Sequence, residues 1–531
     1  MANEAQVLIG GEWRPARKTG GQMAFRAVNP QTGAAVEPEF PISGWADADD
    51  ALAAAAKIAA DPEACPGGRI ADFLVDYAAS IELHAQTLCA LANCETALPI
   101  QPRLAAVELP RTVGQLRQAA AAARQGSWRR VVIDTVNNIR SQLSPVGPVC
   151  IFGPNNFPLA FNAVSGGDFA AAIAAGNPVI AKAHPLHPAT SRALAELAHA
   201  SVLRVGLPRA MVQMLYAVSE TDGMRLVADP RISASAFTGS RKAGLQLKAA
   251  ADAAGKPIYL EMSSINPVVV LPGALAARRA DIVREFIGSV LLGTGQFCTN
   301  PGLVLLVKQP DSDAFIGEAA AAMASLPAGT LFSAAVRHNL AAAVQELISG
   351  GARLVTGGKT VGGPRIAFEN TLLALTGKQF LAAPELFQKE AFGNAAMCVQ
   401  AQDLAELKEI CRNLVGNLTG TIYLDEAADG RACEEITAIL RPRVGRLLNN
   451  KMPTGVAVSP AMNHGGPFPA TGHAHFTAVG LPAAIDRFTR LECYDQVPQN
   501  RLPPTLRDAA PGQWQCVDGR WRQAGPATAD E

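Results

Sequence analysis

Three side chains spaced widely along this chain could together attack and process a carbonyl carbon. Cys298 sits in Gly293-Thr-Gly295-Gln-Phe-Cys298-Thr-Asn-Pro-Gly302, just past an apolar helical run and between glycines that let other groups approach the backbone. A nucleophilic thiol needs such access, whereas a cysteine without it is ordinarily a small buried hydrophobe. Glu261, in Leu260-Glu261-Met-Ser-Ser-Ile-Asn266-Pro267, ends an apolar strand, either as surface decoration or as a half-buried acid whose raised pKa would suit a general base. Asn156, in Phe152-Gly153-Pro-Asn155-Asn156-Phe157-Pro158, offers an amide that could donate to an oxyanion, with an Asx turn or helix cap as the plainer alternative.

Two further groups of residues suggest ligand contacts. Thr238-Gly239-Ser240-Arg241-Lys242-Ala243-Gly244 has the strand, tight turn and helix order that seats a phosphate on free backbone N–H groups, without the ending of a P-loop or the G-x-G-x-x-G pattern. Lys182, ending the run Val179 to Ala181, could reach a ribose or phosphate, or simply be solvated. His464, His473 and His475 raise a metal reading through H-x-H, but no cysteine or acidic ligand accompanies them. Their glycine- and proline-rich surroundings read instead as an ordered loop, so no metal is expected.

The elements that must hold these residues alternate. An apolar run Val149 to Phe152, a helical stretch Leu159 to Ala175 stopped by Gly176 and an apolar run Pro178 to Ala181 form a β-α-β unit. Helix Ala189 to Val205, strand Met211 to Ala217, helix Thr221 to Ala228, strand Ser233 to Phe237, helix Lys242 to Ala254 and strand Pro257 to Met262 continue it. Such alternation implies an α/β fold with a parallel sheet covered on both faces, whose ligands bind beyond the carboxyl ends of the strands. A second α/β stretch from about Pro267 to Arg446 has a long helix near Asp281 to Leu292 and strands at Leu303 to Val307, Ala395 to Val399 and Thr419 to Leu424. Arg130 to Gln142 reads as a hairpin turning at Asn137-Asn138 that needs a partner, and the residues beyond Pro498 read as a tail that wraps the surface or moves.

Composition narrows the function. With 531 residues the chain exceeds one ordinary core, and 46 basic against 46 acidic residues leave no charge excess to draw nucleic acid or an anionic membrane. The ten cysteines contain no C-x-x-C pair, and the opening Met1-Ala-Asn-Glu-Ala-Gln does not read as a secretory signal, so the reducing cytoplasm is the expected compartment. The most lipid-like stretch, Phe169 to Ala181, is too short to span a bilayer.

In order and spacing, Asn156, Lys182, Gly239-Ser240, Glu261, Cys298 and Glu390-Ala-Phe392-Gly393 resemble the aldehyde dehydrogenase superfamily. Within it the chain is most similar to 2,5-dioxovalerate (α-ketoglutaric semialdehyde) dehydrogenases and to the related NADP-dependent fatty aldehyde dehydrogenases. The similarity runs through Gly-Pro-Asn-Asn-Phe-Pro, Glu-Met-Ser-Ser-Ile-Asn-Pro, Gly-Gln-Phe-Cys-Thr-Asn-Pro-Gly and His-Gly-Gly-Pro-Phe-Pro-Ala-Thr, over roughly residues 7 to 498. The resemblance implies a Rossmann-type parallel-sheet cofactor domain over 1–128 and 147–265 and a second α/β catalytic domain over 266–450. It also implies oligomerisation strands at 129–146 and 484–497, a return segment lining the substrate entrance over 451–483, and a tail over 498–531. A homodimer or homotetramer is then expected.

The resemblance also implies a mechanism. Cys298 attacks an aldehyde to give a thiohemiacetal, its oxyanion is held by Asn156 and the Cys298 backbone N–H, and hydride passes to a nicotinamide placed by Glu390 on the ribose and Phe392 against the ring. Glu261 then activates water to hydrolyse the thioester, whereas relatives that transfer the acyl group to coenzyme A generally lack that carboxylate. The family's usual Glu-Leu-Gly-Gly and Pro-Trp-Asn-Phe-Pro read here Glu261-Met262-Ser263-Ser264 and Pro154-Asn155-Asn156-Phe157-Pro158. After Lys182 the chain has Ala183-His184, where many NAD-dependent members carry a ribose-binding glutamate. Loss of that carboxylate removes a repulsion against a 2′-phosphate, which points to NADP with NAD also usable, and to His184 or Arg241 as phosphate partners. The expected reaction is oxidation of 2,5-dioxopentanoate to 2-oxoglutarate, with a medium- or long-chain fatty aldehyde as the alternative substrate.

Overall fold

The computed structural model describes residues 6–17, 24–61, 63–508, 510, 512 and 514–523. The reading of the first residues as no secretory signal therefore falls largely outside the described residues, as do the last eight residues of the tail.

Three sheets organise the chain. The first has the order Ile258–Glu261, Ala234–Thr238, Val149–Phe152, Val179–Lys182, Val212–Leu215, Val7–Ile9 and Glu12–Arg14. Its first five strands are parallel, and Val7–Ile9 joins antiparallel as half of a hairpin. Val149–Phe152 and Val212–Leu215 are buried at every residue, as strands covered on both faces must be. The chain runs from Val149–Phe152 to one side and then returns to add Ala234–Thr238 on the other. That reversal opens a crevice at the carboxyl ends of these two strands.

The second sheet has the order Arg353–Thr356, Thr371–Thr376, Ala395–Ala401, Leu303–Val307, Val268–Val270, Asn417–Tyr423 and Val444–Asn449, parallel except for its first strand. The helix Pro272–Val290 begins earlier than the sequence pattern suggests, bends at Arg278 and runs into the turn Leu292–Gly295 ahead of Cys298. Among the described residues no helix is long and apolar enough to cross a membrane.

Two expectations change. The helix expected over Leu159 to Ala175 is present only as Gly167–Ala175. Ahead of it, side chains take up the backbone groups a helix would need. Asn162 Nδ2 donates to Pro158 O at 2.8 Å, Ser165 Oγ donates to Leu159 O at 2.6 Å, and Glu108 accepts from the N–H groups of Leu159 and Ala160. The tail, expected to wrap or move, instead completes the third sheet, of order Thr489–Asp495, Ile139–Pro145, Val131–Asp134, Trp514–Val517 and Arg520–Gln523. Trp514–Val517 lies parallel on Val131–Asp134, and Val517 packs with Val131, Ile133, Leu502 and Leu506. The charged strand Arg520–Gln523 then forms an edge poorly suited to further pairing.

Truncation after Asp508 would uncover the Val131–Asp134 edge. The truncated chain is expected to scatter more light and melt at a lower temperature than the full chain at equal concentration; unchanged scattering and melting would show that the tail strand protects nothing.

Candidate functional site

The site lies where the carboxyl ends of the first sheet's strands face the amino ends of the second sheet's strands. Glu261 is the last residue of Ile258–Glu261, Asn156 follows Val149–Phe152, and Gly239-Ser240 follow Ala234–Thr238. From the other side Cys298 precedes Leu303–Val307, and Glu390 and Phe392 precede Ala395–Ala401. One cleft of about 340 Å³ is lined by Asn156, His184, Gly239, Ser240, Glu261, Cys298, Glu390 and Phe392. Lys182 and Arg241, also singled out from sequence, are missing from that lining; Lys182 ends the adjacent strand, half-buried, with burial drawing its ammonium down to about 8.

The turn that carries Cys298 depends on glycine at one place. Gly295 has φ +67°, and a Cβ there would meet Gly393 O at 2.0 Å. Contact between the turn and the Phe392-Gly393 backbone therefore requires the absence of a side chain. Below the turn, Asn266 adopts φ +49° and donates through Nδ2 to Cys298 O at 2.8 Å and Asn300 O at 2.9 Å, while its Oδ1 accepts from Thr419 Oγ1 at 2.9 Å. Asparagine tolerates this left-handed backbone better than bulkier residues. Asn156 Nδ2 donates to Gln296 O at 3.0 Å, so one N–H of the amide is used to position it on the turn.

Sequence reasoning missed His464. Its Nε2 lies 3.3 Å from Cys298 Sγ and 3.0 Å from Glu261 Oε1, with His464 and Glu261 each 2% exposed. The return segment brings it there, since Met262 N bonds Ala470 O, Gly472 N bonds Leu260 O, and His464 N donates to Thr477 Oγ1. His473 packs instead on Tyr259, with ring centroids 5.1 Å apart. The H-x-H spacing had drawn attention to the wrong pair. The reactive atoms of Glu261, Cys298 and His464 all lie within 4.8 Å of one another, a thiol, imidazole and carboxylate within range of proton transfer.

Electrostatics correct one expectation. Glu261 is buried, yet its carboxyl is lowered rather than raised. Burial pushes it up, but the His464 ring, hydrogen bonds from His464 and Cys298 and the charge of Arg111 outweigh that push. Cys298 goes the other way, well above the usual thiol range, through burial and then the charge of Glu261, with Arg111 opposing. Burial raises Glu390 to about 7 against hydrogen bonds from Ser263 and Ser264. His184 is held well below the ordinary imidazole value by burial and by the charges of His187 and Lys182. It is thus a neutral ring whose Nδ1 accepts from Leu186 N at 3.2 Å. To a phosphate it can offer a hydrogen bond but no charge.

Behind Cys298 the wall is aromatic. Phe157, Phe161, Phe297 and Phe476 form one cluster, with Phe157 and Phe297 edge to face at 5.2 Å. Arg103 lies over Phe157 at 4.4 Å and Arg111 over Phe161 at 4.8 Å. Glu108 pairs with Arg103, whose other terminal nitrogen donates to Asn156 O at 3.1 Å.

A family model described as the aldehyde dehydrogenase family matches residues 16–491. The chain belongs to that family. It is an NAD(P)-dependent aldehyde oxidoreductase. It is 39% identical over 526 residues to alpha-ketoglutaric semialdehyde dehydrogenase 2 of Azospirillum brasilense, spanning 96% of this chain and 98% of that one. With alpha-ketoglutaric semialdehyde dehydrogenase of Acinetobacter baylyi it shares 37% identity over 463 residues, 83% of this chain and 85% of the relative. Its fold is that of the crystal structure of lactaldehyde dehydrogenase from Escherichia coli, with a TM-score of 0.79 at 23% identity, covering 92% and 98% of the two chains.

Replacing His464 by Gln in this aldehyde dehydrogenase should slow alkylation of Cys298 by iodoacetamide at pH 7 about 10-fold, because the imidazole that faces both the sulfur and Glu261 is gone. Alkylation at the unaltered rate would mean that the imidazole does not act on the thiol.

Proposed function

We propose that this enzyme oxidises 2,5-dioxopentanoate to 2-oxoglutarate, with NADP preferred and NAD accepted. The observation that carries the choice of substrate is the aromatic cluster beside Cys298. Two guanidinium groups, those of Arg103 and Arg111, lie over its rings, and Glu108 is bonded to only one of them. A surplus cation favours a short aldehyde bearing a carboxylate over an acyl tail, which would have to press apolar carbon against a guanidinium. The two relatives named as alpha-ketoglutaric semialdehyde dehydrogenases point the same way.

The chain's own groups supply most of the mechanism. The proton of Cys298 passes to the Glu261 carboxylate and on to solvent before hydrolysis, while His464 Nε2 donates to Glu261 Oε1 at 3.0 Å and faces the forming thiolate at 3.3 Å. The thiolate adds to the aldehyde, and the free N–H of Asn156 with the backbone N–H of Cys298 receives the oxyanion. When bound, the dinucleotide supplies the acceptor for the hydride that the collapsing oxyanion expels. Glu390, Phe392, His184, Gly239 and Ser240 hold it in the cleft they line, with Lys182 and Arg241 as the nearby cations for a 2′-phosphate. Glu261 Oε2 is buried without a partner, so it is the acceptor for the proton of the water that hydrolyses the thioester. The third sheet pairs subunits into a homodimer or homotetramer, and the enzyme works in the cytoplasm.

Absorbance of reduced nicotinamide, followed with each cofactor, tests the assignment. kcat/KM for 2,5-dioxopentanoate should exceed that for decanal on the order of 100-fold, and NADP should outperform NAD; a preference for decanal would overturn the substrate. Glu261→Gln should release one equivalent of reduced cofactor in a burst and then stall, and undiminished steady turnover would remove Glu261 from the hydrolytic step.

A further inference from the structure

We propose that Glu261, Cys298 and His464 form a binding site for one zinc ion, which shuts the enzyme off by taking its thiol and its hydrolytic carboxylate together. The binding stands on the geometry of the three side chains; the consequence for turnover rests on the roles given to Cys298 and Glu261 above.

The three ligand atoms already have nearly the spacing of a coordination shell. Zinc holds thiolate sulfur at about 2.3 Å and imidazole nitrogen or carboxylate oxygen at about 2.0 to 2.1 Å in a tetrahedron, which sets its ligands roughly 3.3 to 3.6 Å apart. Here His464 Nε2 lies 3.3 Å from Cys298 Sγ and 3.0 Å from Glu261 Oε1, and all three reactive atoms fall within 4.8 Å of one another. Among the described residues no other three histidine, cysteine or acidic side chains converge in this way. The sequence hides the set, because the cysteine and the carboxylate lie 166 and 203 residues from the histidine. Each ligand is also anchored from behind. Asn266 Nδ2 donates to Cys298 O, His464 N donates to Thr477 Oγ1, and Glu261 ends a strand paired along its length with Ala234–Thr238.

The donor types select the ion. A thiolate and an imidazole favour zinc over magnesium or calcium, which take oxygen ligands. One thiolate and one carboxylate balance a divalent cation, and a neutral imidazole adds no charge, so the buried cluster of metal and ligands is neutral. Glu261 Oε2 is buried without a partner, and Glu261 and Cys298 line the cleft of about 340 Å³. The cleft is the ion's way in, and it leaves the fourth position to water or to that second carboxylate oxygen. On binding, the S–H bond of Cys298 breaks, an S–Zn bond forms and the proton leaves to solvent, while His464 keeps its hydrogen on Nδ1; no oxidation or reduction occurs. The sulfur lone pair that attacks the aldehyde is then held by the metal, and so is the carboxylate that activates water.

Cobalt tests the site without cofactor or aldehyde, since a thiolate bound to it absorbs in the near ultraviolet. One equivalent per protomer should give that band in the chelator-treated wild type, and one equivalent of zinc should abolish it. Cys298→Ser should lack the band. His464→Gln and Glu261→Gln should each weaken cobalt binding on the order of 100-fold, the upper end of what losing a group that only supports a ligand costs. His473→Gln combined with His475→Gln should leave it unchanged. At equal occupancy, zinc should slow iodoacetamide alkylation at the Cys298 peptide and stop formation of reduced cofactor to the same extent, with EDTA restoring both. A band that survives Cys298→Ser, or an affinity unchanged in His464→Gln and Glu261→Gln, would overturn the site, as would bound zinc that neither protects Cys298 nor slows turnover. If the wild type favours decanal over 2,5-dioxopentanoate but the band forms, the substrate reading falls and the metal site stands. If 2,5-dioxopentanoate is favoured and no band forms, the metal site falls and the substrate reading stands.

Discussion

One imidazole nitrogen shared between a thiol and a carboxylate is the interaction on which the rest of this structure depends. Glu261 is 2% exposed, and a carboxylate so thoroughly removed from water is costly unless hydrogen bonds and charge are returned to it. His464 Nε2 returns a hydrogen bond at 3.0 Å and lies 3.3 Å from Cys298 Sγ, so one ring nitrogen faces both the carboxylate and the thiol. The raised thiol and the lowered carboxyl are two consequences of one arrangement, in which the resting state keeps the proton on sulfur and the anion on Glu261.

That arrangement constrains the fold around it. Glu261 belongs to the first sheet and Cys298 to the connection entering the second, and His464 arrives on a segment 203 residues beyond Glu261. Small tolerances at their junction explain local features that propensity would disfavour. Gly295 must lack a Cβ so that the turn can touch the Gly393 carbonyl, and Asn266 must accept a left-handed backbone so that its amide reaches two carbonyls of the nucleophile loop. The return segment lies along Ile258–Glu261 through the Met262 and Gly472 backbone bonds, so the histidine is held by sheet-like pairing and not by a free loop.

Much of this was legible before any coordinates. Parallel strands declared themselves as uninterrupted apolar runs; Glu261 stood out as a carboxylate ending such a run, and Cys298 and Asn156 as polar residues near the ends of such runs among glycine and proline. His464 stood in a segment whose glycines and prolines correctly indicated an ordered loop. The local search for metal ligands passed over it because its partners lie 166 and 203 residues away. Arg111 gave no signal, since in an alanine-rich helix it looks like Arg117 and Arg124, which form exposed pairs with Glu82 and Asp72. The overlong helix at Leu159 failed for a different reason. Periodicity does not register side chains such as Asn162 and Glu108 that take the helix's hydrogen bonds for themselves.

The overall neutrality of the chain and the local charge of the chamber belong to one argument. With no net charge there is little long-range field to draw an anionic aldehyde toward the site, so selection must occur after the substrate has shed its water, where a single cation is felt strongly. Such a cation has a second effect, because the Arg111 charge also lowers the Cys298 thiol toward its reactive form.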